Sequence, residues 1–128
     1  MDLDTETHRR VLLVEDEPLV SMMIEDMLEH LGHQVVAVAP RLQLALTLAT
    51  QLQFDLAILD INLAGEESFP VANLLDQRGI PYFFVSGYGS PGLDNSAHGY
   101  ARLLRKPFSP QDLRRMFDTL DGPPAAAR

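Results

Sequence analysis

The sequence predicts an α/β fold built on a parallel sheet, and three features carry that prediction. Short apolar runs recur along the chain and read as strands buried on both faces. Stretches with apolar residues at helical spacing lie between them. The two kinds alternate throughout, which is the pattern of βαβ units with right-handed crossovers, and such sheets place ligands beyond the carboxyl ends of their strands.

The first run is Val11 to Val14, closed by Glu15, Asp16 and Glu17. Pro18 then opens a helix, because a first-turn residue needs no N–H and acids before it meet the positive end of the helix dipole. Its stripe is Val20, Met23, Ile24, Met27, Leu28 and Leu31, with Gly32 as a left-handed stop. The spacing makes the methionines of this helix core residues. Val35 to Val38 is the second strand, and Leu42, Ala45, Leu46, Ala49 and Leu52 form the next stripe after Pro40. Leu56 to Leu59 is the third strand and runs directly into Asp60. Val71, Leu74 and Leu75 follow Pro70 at helical spacing and end at Gly79; Tyr82 to Val85 is the fourth strand. Residues 86–100 contain four glycines and a proline, so any helix there is short or broken. Ala101 to Leu104 is the fifth strand, and Ser109, Pro110 and Asp112 start a last helix with a capping box and the stripe Leu113, Met116, Phe117 and Leu120. Residues 1–8 read as a flexible lead, 9–120 as one domain and 121–128 as a flexible tail.

At 128 residues the chain has the size of one domain with one core. Lys and Arg number 10 against 18 Asp and Glu, a net charge of −8 that repels nucleic-acid backbones and anionic lipid. Without cysteine there is no disulfide, thiolate nucleophile or zinc-thiolate site. The acidic lead carries no secretory signal and no apolar run is long enough for a membrane span, so the expectation is a cytoplasmic protein with neither membrane nor nucleic acid as partner.

If the first, third, fourth and fifth strands are neighbours, then Glu15, Asp16, Asp60, Ser86 and Lys106 all lie just past their carboxyl ends. Three carboxylates together repel and raise one another's pKa, so they call for a cation, and hard carboxylate oxygens suit Mg²⁺. An Asp carboxylate is also a competent nucleophile toward phosphorus, and phosphoryl transfer asks chiefly for positioning and positive charge. On this reading Asp60 attacks. Glu15, Asp16, Asp60 and the backbone carbonyl of Asn62 hold Mg²⁺, while Lys106 and the Ser86 hydroxyl grip the phosphoryl oxygens. Taken singly, each residue also has a plain structural use: the acids as helix-start and turn residues, Ser86 in a Ser-Gly turn, Lys106 in solvent. Their shared register favours function. His8, His30, His33 and His98 share no metal-ligand spacing and read as surface or satisfied polar residues, and the pairs Arg9–Arg10 and Arg114–Arg115 as capping or solvated charges.

VLLVEDEP, LAILDINL, FFVSG and LLRKPF, in that order and each closing an expected strand, resemble the receiver domain of two-component response regulators. DINLAGEESFPVANLL followed by GIPYFFVSGYG resembles, more narrowly, the single-domain FAT GUY subfamily of alphaproteobacteria. The resemblance implies a flavodoxin-like, doubly wound five-stranded sheet of order 2-1-3-4-5 with helices on both faces and a reduced fourth helix. It implies an aspartyl-phosphate at Asp60, donated by the phosphohistidine of a sensor histidine kinase or histidine phosphotransferase. The chain is then a switch and not an enzyme on outside substrates. Its output is altered contact with a protein effector, or phosphate shuttling, through the segment after Ser86 and the last helix; a homodimer is compatible with this, though no residue marks one.

Two positions depart from the family pattern. Receivers usually carry an aromatic switch residue three places before the lysine, where this chain has Leu103; the output then runs through another route, and the loop at Tyr88 and Gly89 is the expected one. The subfamily's Phe-Ala-Thr-Gly is Phe84, Val85, Ser86 and Gly87 here, which keeps the hydroxyl. Two alternatives start from the same residues. A haloacid-dehalogenase-like phosphatase also uses a strand-end Asp but wants a second acid where this chain has Asn62; a pseudo-receiver would act by contact alone, without phosphorylation.

Overall fold

Val11, Leu12, Leu13 and Val14 are all fully buried, as a strand covered on both faces requires, and they form an interior strand of a parallel sheet. The computed structural model describes residues 8–87 and 102–120. In chain order these form β1 (Arg10–Val14), α1 (Pro18–His30), β2 (Gln34–Ala39), α2 (Leu42–Gln51), β3 (Leu56–Asp60), β4 (Asn62–Leu63), β5 (Glu66–Glu67), α3 (Phe69–Arg78), β6 (Tyr82–Ser86), β7 (Leu103–Arg105) and α4 (Pro110–Leu120). The sheet runs β2-β1-β3-β6-β7, every pair parallel. With the small β4–β5 hairpin left out of the count, this is the expected order 2-1-3-4-5.

Alternation along the strands divides the core in two. Leu12, Val14, Ala57, Leu59 and Phe84 face Ala45 and Ala49 of α2 and Val71, Ala72 and Leu75 of α3. Val11, Leu13, Ile58, Phe83 and Val85 face Ile24 and Leu28 of α1 and Leu113 and Phe117 of α4. Helices therefore cover both faces. Among the described residues no helix is long and apolar enough to cross a membrane.

The ends of the helices follow the sequence signals in most places. Pro18 and Pro70 lie in the first turns of α1 and α3, and Gly79 closes α3 at φ 71°. The capping box of α4 is reciprocal: the Asp112 N–H donates to Ser109 Oγ at 3.1 Å, and the Ser109 N–H donates to Asp112 Oδ2 at 2.9 Å. The carboxyl end of α2 is closed from outside, by the Arg78 guanidinium of α3, which donates to the Ala49 carbonyl and, at 3.4 Å, to that of Leu52 while lying over the Phe54 ring.

Three expectations need correction or fall elsewhere. The fifth strand is Leu103–Arg105, displaced toward Lys106 from the expected Ala101–Leu104. Met23 is not core: it is 53% exposed beside Met22 and Leu19, because the apolar stripe of α1 is wider than the face that α4 and the sheet cover. The expectations for residues 1–7, 88–101 and 121–128, including the reduced helix and the Tyr88–Gly89 loop, lie outside the described residues.

Candidate functional site

Each strand ladder continues past the last strand residue and so fixes the backbone from which the polar side chains project. The Glu15 N–H donates to the Ala39 carbonyl at 3.0 Å, Ile61 to Val85 at 3.1 Å and Lys106 to Ser86 at 2.9 Å. Because all strands are parallel, these extensions share one edge of the sheet, where a doubly wound fold presents its ligands. Glu15, Asp16, Asp60, Ser86 and Lys106 are there brought to neighbouring strand ends.

The side chains converge. Lys106 Nζ lies 3.0 Å from Glu15 Oε1 and 3.5 Å from Asp60 Oδ2. Glu15 and Asp60 are themselves buried, so one lysine is shared between two carboxylates that water reaches poorly. The Asn62 N–H approaches the other acceptor oxygen, Asp60 Oδ1, at 3.4 Å, and the Glu17 N–H donates to Glu15 Oε2 at 3.2 Å. Ser86 is buried, and its Oγ has no hydrogen-bond partner among the described residues. A buried hydroxyl of that kind is costly unless something arrives to satisfy it. The Lys106–Pro107 peptide bond is cis.

Burial pushes the Asp60 carboxyl up to about 7; Glu15 adds to the shift, and Lys106 and the Asn62 N–H oppose it. Burial also works to lower the pKa of Lys106, but Glu15 and Asp60 outweigh it and raise the ammonium above its ordinary value. The site thus holds more negative charge than one lysine offsets. Glu15, Asp16 and Asp60 each offer one oxygen within 4.8 Å of the others, a hard-oxygen set that fits a divalent cation such as Mg²⁺. Asn62 lies two residues beyond Asp60, on the exposed side.

The hairpin above this group escaped the sequence reading. Asn62 pairs with Glu67 and Leu63 with Glu66, joined by Ala64 and Gly65 at φ 52° and 92°. A two-residue turn with both central residues at positive φ suits Asn-Gly better than Ala-Gly, and the left-handed region costs alanine about 1–2 kcal/mol. Three contacts hold it: the Ala64 N–H donates to Asp16 Oδ2 at 3.1 Å, the Gly65 N–H to Asn62 Oδ1 at 2.8 Å, and Leu63 is buried in the core. The glycine was the available signal; strands of two residues carry no readable period.

Elsewhere, the histidine reading holds for His33, which is buried, accepts the Arg9 N–H on Nδ1 at 3.1 Å and stacks on Phe117. Leu103 is half-buried at the start of β7, opposite Phe84.

The family model for the response regulator receiver domain matches residues 11–118. The chain belongs to the response regulator receiver family. Receivers are signalling modules of two-component systems, and phosphorylation and metal binding are typical of them. This receiver is 32% identical over 115 residues to the phyllosphere-induced regulator PhyR of Methylorubrum extorquens, covering 88% of the chain but 43% of PhyR. It spans under half the length of that relative. Among solved structures it is similar to the PhyR receiver domain of Erythrobacter litoralis, at 28% identity and TM-score 0.78 over 90% of this chain and 91% of that one. It is similar also to SdrG of Sphingomonas melonis, at 37% identity and TM-score 0.76 over 91% and 98% of the two chains, a protein also solved in a BeF3-activated conformation. The flavodoxin-like receiver fold is shared with these structures.

Proposed function

We propose that this receiver accepts a phosphoryl group on Asp60 from the phosphohistidine of a sensor histidine kinase or histidine phosphotransferase, in a Mg²⁺-dependent reaction, and signals by altered contact with a protein effector. The observation that carries the reading is the convergence of Lys106 Nζ on Asp60, with the buried hydroxyl of Ser86, without a partner among the described residues, at the adjacent strand end. Asp60 Oδ attacks phosphorus; the P–O bond forms as the P–N bond breaks, and the electron pair leaves with the imidazole nitrogen. Lys106 and Ser86 take the phosphoryl oxygens, which gives the buried hydroxyl a hydrogen-bond partner. A bound Mg²⁺, held by Glu15, Asp16, Asp60 and the Asn62 carbonyl, supplies the positive charge that lets three carboxylates and a phosphoryl group share one site.

The strong acidity of the chain, −8 overall, supports protein partners over nucleic acid. Similarity to SdrG, a protein with a BeF3-activated form, supports the phosphoacceptor role. Intact mass after incubation with phosphoramidate tests it. One phosphoryl adduct that requires both Mg²⁺ and Asp60 is expected; an adduct that persists in Asp60→Asn, or wild-type protein left unmodified by both phosphoramidate and phosphorylated kinase, overturns it.

A further inference from the structure

Resting on the cation reading above, we propose that the β4–β5 hairpin is a positioning element for the cation, acting through the Ala64 N–H that orients the Asp16 carboxylate. Asp16 is the least enclosed of the three carboxylates and, unlike Glu15 and Asp60, has no ion pair with Lys106 among the contacts that define the site. Among the described residues it is held by one backbone bond, from the Ala64 N–H to Oδ2 at 3.1 Å. A carboxylate held from behind by an N–H on one oxygen keeps its other lone pairs aimed at a metal, and loss of such a partner typically weakens metal binding 10–100-fold.

The turn is built to aim that N–H. Ala64 and Gly65 both sit at positive φ, and the Asn62 side chain takes the Gly65 N–H at 2.8 Å. Leu63, buried on the core side, anchors the base of the hairpin. The strained alanine is thus held by contacts on both sides and points its N–H across to the end of β1, a segment 48 positions earlier in the chain. Asn62 and Ala64 are therefore positioning residues, and Asp16 is both cation ligand and the receiving end of the hairpin.

An amide NMR titration with Mg²⁺ tests this on four proteins besides wild type. A Cβ added at position 65 meets no atom within 4 Å, so substitution there acts chiefly through the backbone. Gly65→Val forbids the positive φ and should weaken Mg²⁺ binding about tenfold. Asn62→Ala, which removes the acceptor for Gly65, should move affinity the same way. Gly65→Asn, which tolerates the left-handed region, should restore near wild-type affinity. Gly79→Ala strains an equally left-handed turn remote from the site and should lower Tm without changing Mg²⁺ affinity. In wild type the Ala64 amide should shift along the same binding curve as Asp16. Wild-type affinity in both Gly65→Val and Asn62→Ala, or equal weakening by Gly79→Ala, overturns the hairpin's role and leaves the site reading standing. No saturable Mg²⁺ response in wild type overturns both.

Discussion

Lys106 Nζ stands closer to Glu15, at 3.0 Å, than to Asp60, at 3.5 Å. The lysine is thus shared unequally, with its stronger contact on the more deeply buried acid. Lys106→Met leaves two adjacent buried carboxylates without a cation. Breaking a buried pair in this way costs up to about 3–5 kcal/mol, moderated here because Asp60 can take up a proton. Urea unfolding in the absence of Mg²⁺ should show the loss, and Mg²⁺ should restore part of it.

The position of Asp60 makes stability depend on pH. Its carboxyl is pushed up to about 7 in the folded protein, chiefly through burial and then through Glu15, from the ordinary aspartate value of 3.8. Between those values the folded state holds a proton that the unfolded chain has released, so metal-free stability falls as pH rises through the interval and levels off above it. Asp60→Asn removes this dependence. Its stability relative to wild type should grow from pH 4 to pH 8. Paired urea titrations at the two pH values measure the difference, and a constant difference would contradict it.

Arg78 closes α2 from its position on α3. Arg78→Met should cost about 1.5–3 kcal/mol, the worth of hydrogen bonds to a charged donor, with the loss read by thermal unfolding. Hydrogen exchange should quicken at the carboxyl end of α2, near Ala49 and Leu52, and not in α1.

On α1 the two faces should respond differently to truncation. Leu28 is fully buried, so Leu28→Ala should cost about 2–5 kcal/mol. Met23→Gln, at a largely exposed position, should stay within about 0.5 kcal/mol. Chemical denaturation of the two variants gives the comparison directly.

Much of this architecture is legible in sequence because apolar runs such as Val11–Val14 and Leu56–Leu59 mark strands whose ends can be read to the residue. Glu15, Asp60 and Ser86 follow those runs immediately, so a parallel sheet was enough to place them on one edge. Lys106 was harder: β7 lies later than expected, since Arg102 and Arg105 blur the limits of a short strand at the sheet's margin. Periodicity overstated the core of α1, because a stripe tells which residues share a side and not how far the neighbours reach across it; Met23 lies beyond that reach. The hairpin was silent for a different reason. Its turn carries alanine where asparagine would have announced it, and its order comes from Asp16, a partner far away in sequence.

The Lys106 N–H and the Ser86 carbonyl are joined at 2.9 Å by the same ladder that pairs β6 with β7. That join makes the spacing between the hydroxyl and the ammonium a property of the sheet and not of the chain that connects them. The backbones that carry the two groups are therefore spaced by the same ladder that holds the sheet together.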